Sequence, residues 1–158
     1  MKKRLWMLVL VVLMAGAGCL SGTAETVQIP FCREDTVSNW EAYMTSVKEQ
    51  ADRIRASLEQ DVLTQLEMNE KSHELCALWD DALNDIWAAL KRHLPEEELT
   101  VLQEDQDLWM NEREKAAQEA GRGVEGGSLY ALVVSETTAE ITQERVCELY
   151  EMLKQMDE

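Results

Sequence analysis

The chain has 158 residues, room for one domain around a single core, and its 31 Asp and Glu against 15 Lys and Arg give a net charge of −16 at pH 7. A surface of that sign repels nucleic acid and anionic lipid, which excludes nucleic-acid binding and leaves cationic partners as the natural ones. Four Cys and two His without paired spacing exclude a zinc-finger type of metal site.

The first element is an export signal. Met1-Lys2-Lys3-Arg4 is a charged start, Leu5 to Ala15 is an apolar run of 11 residues, and small residues follow. The run is too short to span a bilayer. Two cleavage readings stand side by side. Ala15-Gly16-Ala17-Gly18-Cys19 resembles a lipobox, in which residues 1–18 are removed and Cys19 is lipidated, although Gly16 occupies a position where a bulky apolar residue is usual. Ordinary cleavage after Ala17 or Ala24 is the other. Loss of the signal takes Lys2, Lys3 and Arg4 with it, so Lys plus Arg falls from 15 to 12 and the net charge from −16 to −19. Residues 19–34 read as a tether. Membrane contact is then expected only through the signal or a lipid anchor.

An N-terminal helix is expected over 35–60, capped by Asp35 or Ser38, with Trp40, Met44, Val47, Ala51, Ile54 and Leu58 on one face. From Phe31 to Leu94 there is neither Gly nor Pro, so the chain either breaks near residue 60 or runs on as one long helix. The rest, 61–157, reads as a helical domain. Its first helix runs to Leu94, with Lys91, Arg92 and His93 at its negative end. Pro95 stops it and opens the next at the first helical position, with Glu96, Glu97 and Glu98 in the first turn, running to Ala120. Gly121 to Gly127 reads as a flexible linker, and Ser128 as the cap of a last helix whose inner stripe is Leu132, Ser135, Ala139, Thr142, Val146, Leu149, Leu153 and Met156. The fold class is all-α, a bundle of three to four helices.

Two stripes carry polar residues where apolar ones belong. The third helix reads Leu99, Leu102, Gln106, Trp109, Arg113, Ala116; the second reads Leu66, His73, Cys76, Asp80, Leu83, Trp87, Leu90, Leu94. A buried charge costs several kcal/mol unless a partner is built in, so Asp80 and Arg113 are expected to meet across two packed helices. After loss or lipidation of Cys19, one disulfide is expected among Cys32, Cys76 and Cys147, with no spacing to select the pair.

No catalytic, cofactor-binding or metal site is expected. Glu70-x-x-His73 is half of a di-iron unit, but the other histidine, His93, has Leu90 three residues before it. His73 then reads as a core or boundary residue. Acid runs on helical faces do not set two carboxylates across a cleft, and no nucleophile motif or phosphate loop is present. The chain reads as a non-enzyme.

The order of special residues carries a resemblance. Thr64-Gln65-Leu66-Glu67-Met68-Asn69 is followed by Asp80, Leu83-Asn84, Gln106-x-x-Trp109-x-x-x-Arg113, Gly127-Ser128, Thr142-x-x-Arg145 and Leu149. Over residues 61 to 153 this resembles the N-terminal domain of the exported bacterial proteins named for the lysozyme inhibitor LprI. The resemblance gives Asn69, Asp80, Leu83, Asn84, Gln106, Trp109, Arg113, Ser128, Thr142 and Arg145 as motif residues, whose expected role is to hold helices in register. It departs at Lys71, and near Ala117 and Thr137, where family members carry cysteines, so the family disulfides do not transfer. It implies a cell-envelope binding module in the periplasm or on a membrane anchor, with a cationic protein such as lysozyme as partner. The inhibitory surface is then expected on the Gly121–Ser128 loop or on an acidic outer face. The alternative is a structural or scaffolding envelope lipoprotein, self-associating through one long helix.

Overall fold

A computed structural model describes residues 37–156, with side chains from Asn39 onward. The signal, Cys19, the 19–34 tether, Cys32 and Asp35 lie outside the described residues. Among the described residues four helices make up the bundle: α1 (Val37–Gln60), α2 (Gln65–His93), α3 (Glu96–Gly121) and α4 (Tyr130–Gln155). A short 3-10 turn, Arg122–Val124, follows α3. The all-α expectation holds. The α2–α4 pair has the most extensive contact, with α1 packed on α2 and α3 packed on α4.

The chain breaks at residues 61–64, and a local signal explains where. Thr64 and Glu67 form a capping box: the Glu67 amide donates to Thr64 Oγ1 at 3.3 Å, and the Thr64 amide donates to Glu67 Oε2 at 2.7 Å. The Thr64 hydroxyl, which also donates to Glu67 Oε2 at 2.7 Å, and then the Thr64 amide hold the Glu67 carboxyl below its ordinary value. Two orphan helix donors are satisfied here without any Gly or Pro. So α1 turns back along α2 rather than extending it, and the continuous helix that motivated the scaffolding alternative is not formed.

The α1 stripe is buried as expected, from Trp40 to Ile54, with Leu58 half-buried against the core. Tyr43 joins it, and its hydroxyl donates to Asp85 Oδ2 of α2 at 2.7 Å. Arg55 Nη2 donates to Gln143 Oε1 of α4 at 2.5 Å. In α2 the expected stripe needs correcting. The buried residues are Ser72, Leu75, Trp79, Ala82, Leu83, Ile86, Ala89 and Leu90. Leu66 and His73 are exposed, and Cys76, Asp80 and Trp87 are half-buried. One residue is a rotation of about 100°, so a face centred on Trp79 carries Asp80 on its flank. The reason is that α2 is covered by both α1 and α4. Its buried arc is wide, and a narrow i, i+3, i+4 stripe drawn through one edge of that arc missed its centre.

Smaller corrections follow from caps. Pro95 is the N-cap of α3, not its first helical residue. Ala116 is exposed and Ala117 is buried in its place. Ser38 lies within α1 rather than before it. The Gly121–Gly127 segment is more ordered than a plain linker. Gly121 ends α3, where an added Cβ would lie 2.7 Å from Tyr130 Cε2 and 2.8 Å from Val134 Cγ2. Only a glycine lets the start of α4 approach so closely. Gly126 takes the left-handed backbone, at φ 75°. Ser128 does not cap α4: Leu129 is the N-cap, and no side chain bonds there.

Candidate functional site

The polar side chains of α2, α3 and α4 gather into one network. Arg113 of α3 reaches across both neighbours. Its Nη1 donates to Asp80 Oδ1 of α2 at 2.5 Å and to Thr142 Oγ1 of α4 at 2.9 Å. The Thr142 hydroxyl in turn donates to the Thr138 carbonyl at 2.7 Å, so both of its hydrogen-bonding roles are used. Thr142 is fully buried. The Asp80–Arg113 meeting expected from the stripes therefore occurs. The pair is not sealed, however: 40% of the Asp80 side chain and 20% of the Arg113 side chain remain exposed. That corrects the expectation of a deeply buried charge, for the reason given above.

A second guanidinium extends the network along α3 and α4. Arg145 Nε donates to Gln106 Oε1 at 2.9 Å, Nη2 pairs with Asp105, and Nη1 pairs with Glu148 at 3.2 Å. Only 10% of the Arg145 side chain is exposed, and Gln106 is buried. A polar glutamine on the inner face thus exists to receive Arg145. Trp109 is the shared floor. The Arg113 guanidinium carbon lies 5.0 Å from its ring centroid and that of Arg145 lies 5.8 Å away, both within cation–π range. The Q-x-x-W-x-x-x-R spacing now has a physical meaning. Positions 106, 109 and 113 share one helical face, so one aromatic ring serves two cations from two helices.

The remaining motif residues lie apart. Asn69 Nδ2 donates to the Ser128 carbonyl at 3.4 Å, and Asn69 Oδ1 accepts from Gln65 Nε2 at 2.9 Å. This ties the start of α2 to the turn before α4. Leu83 is a core residue and Asn84 is exposed. Sequence reasoning missed Asp105 as the partner of Arg145, and missed Thr142 as the third member of the Asp80–Arg113 set. The only available signal for Asp105 was its place one residue before Gln106.

The chemistry of the network is structural. Cys76 Sγ donates weakly to Asp80 Oδ2 at 3.9 Å. Burial first, and then the Asp80 charge, push its thiol up, which disfavours the reactive thiolate. Cys76 and Cys147 are both free thiols and do not pair with each other. Among the described residues no group of three or more His, Cys, Asp or Glu is placed to hold a metal ion. An open groove of about 810 Å³ runs beside Arg113 between α3 and α4, floored by Ala117, Tyr130, Val134 and Thr138.

A family model described as lysozyme inhibitor LprI matches residues 56–149. The match contains every member of the network, and it runs from the last turn of α1 through most of α4. The chain belongs to the LprI lysozyme-inhibitor family. The LprI match begins five residues before the span expected from the motifs and stops four short of its end. The LprI family is named for inhibition rather than for catalysis, in keeping with a network that binds helices to one another. No curated protein and no solved structure matches the chain.

Proposed function

We propose that the mature protein is an acidic, helical binding module of the bacterial cell envelope that inhibits a basic peptidoglycan-cleaving enzyme. The observation that carries this reading is the family match over α2, α3 and α4. The electrostatics support it: 31 acids against 15 bases steer a cationic enzyme toward this surface. The export signal at residues 1–18 puts the domain where such enzymes act, either released after cleavage or held by lipid on Cys19. No described helix is long and apolar enough to cross a membrane.

The motif residues Asp80, Gln106, Trp109, Arg113, Thr142 and Arg145 serve as the internal latch, and Asn69 with Ser128 as a second tie. Their side chains face one another across helices, which leaves recognition to the exterior. The test is clearing of cell-wall suspensions by a purified basic lysozyme in the presence of the mature domain. Inhibition at low salt is expected. Full lysozyme activity at tens of micromolar domain would remove the inhibitor reading. Mass spectrometry of the mature N-terminus decides between a lipidated Cys19 and cleavage after Ala17 or Ala24.

A further inference from the structure

The least covered helix is α3. Of its 26 residues only Leu102, Gln106, Ala117 and Gly121 are buried. The opposite side is amphipathic in an unusual sense. Val101 and Leu108 are 68% and 66% exposed, and their spacing of seven residues stacks them on one line of the helix. Glu97, Glu104 and Glu112 fall on the same side and are exposed. Residues 95–112 contain no Lys, Arg or His and seven acids. Among the described residues Glu97, Glu104 and Glu112 form no ion pair. From Glu97 to Glu112 this strip is about 22 Å long.

We propose that the outward face of α3, with Val101 and Leu108 as its apolar centre and Glu97, Glu104 and Glu112 as its rim, is the docking surface for a cationic protein partner. The inference rests on the inhibitor reading above and locates it on the molecule. Charge decides the occupant. A second copy of this chain would bring like-charged carboxylates together, which disfavours self-association. A basic protein surface with a small apolar patch complements both parts of the strip, the rim speeding encounter and the centre slowing release. The latch prepares the face. Asp105 and Gln106, on the flank and inner side of the same helical turns, are bound by Arg145 of α4, so α3 is held before the partner arrives and less ordering entropy is lost on binding.

The experiment measures binding of a purified basic lysozyme to the full mature domain at low and physiological ionic strength, with inhibition followed in parallel. Three variants are compared with the unaltered domain: Val101→Ser with Leu108→Ser, Glu104→Lys with Glu112→Lys, and a control of equal charge change on other helices, Glu49→Lys with Glu70→Lys. All six positions are exposed, and thermal melts verify that each variant is folded. The first two variants are expected to bind about tenfold more weakly or worse, and the control to lose much less. If the control loses as much as the α3 charge variant, and the serine variant binds normally, net charge alone is at work and the α3 assignment fails while the inhibitor reading stands. If the unaltered domain neither binds nor inhibits, the inhibitor reading itself fails. A sedimenting dimer that the serine variant dissociates would show the face to be a self-contact, overturning the assignment to a cationic partner.

Discussion

Replacing Arg113 by alanine removes two hydrogen bonds and a cation–aromatic contact at once. Exposed ion pairs contribute about 0–1 kcal/mol and the loss of one partner of a buried pair costs about 3–5 kcal/mol. With Asp80 half-exposed, Arg113→Ala is expected to cost about 2 kcal/mol in urea denaturation, between those limits. A double-mutant cycle with Asp80→Ala should show coupling, because the two side chains touch. Glu136 offers a second residue-level test. Burial first, and then repulsion from Glu140, raise its carboxyl above the ordinary 4.5. The folded protein therefore holds this proton more tightly than the unfolded chain does, and this group's contribution to stability falls as pH rises through the window above 4.5. The penalty grows as pH rises above 4.5 and is absent in acid. Glu136→Gln should raise the melting temperature at pH 7, by a stabilisation under about 1 kcal/mol given its partial exposure, and the gain should vanish below pH 4.5. At this scale the sequence showed which residues were out of place on apolar stripes, Gln106 and Arg113 above all. It did not show how far each was buried, because exposure depends on which neighbour covers the flank of a helix.

Helix limits follow local chemistry where that chemistry is strong. Thr64 with Glu67, Pro95, and the Gly121–Gly127 run each mark a boundary, the first through side chain–backbone bonds and the other two through the backbone limits of Pro and Gly. The break before α2 is coded by the Thr-x-x-Glu spacing and needs neither Gly nor Pro. Gly121 is different, since its need for a bare Cα comes from Tyr130 and Val134 on another helix. Gly121→Ala is expected to destabilise by about 1–3 kcal/mol through overpacking, read as a lower denaturation midpoint. A loss within a few tenths of a kcal/mol would mean that α4 can shift without cost. The buried arc of α2 teaches the same lesson. Leu75, Trp79 and Ile86 on one line and Leu83 and Leu90 on the next are all apolar. Which line is central depends on α1 and α4 lying on either side.

At the scale of the molecule, the fold separates two tasks. The inward polar groups are consumed in holding α2, α3 and α4 together, and the outward surface carries the acid excess. Inhibition of a basic enzyme by such a surface should weaken as salt rises, since charges on rims are screened beyond about 8 Å at physiological ionic strength. A dose–response series at increasing salt checks this, and inhibition unchanged by salt would assign recognition to apolar contacts alone.

Composition and periodicity determined the helical class and the sign of the surface, and the ordered motifs mark the family, because each is a local or additive property of the chain. The packing of α1 along α2, the sharing of Trp109 by two arginines, and the bare outer side of α3 were decided only by the tertiary structure. Those depend on which helix covers which. That choice comes from many small contacts between residues far apart in sequence, and no single stretch of the chain contains it.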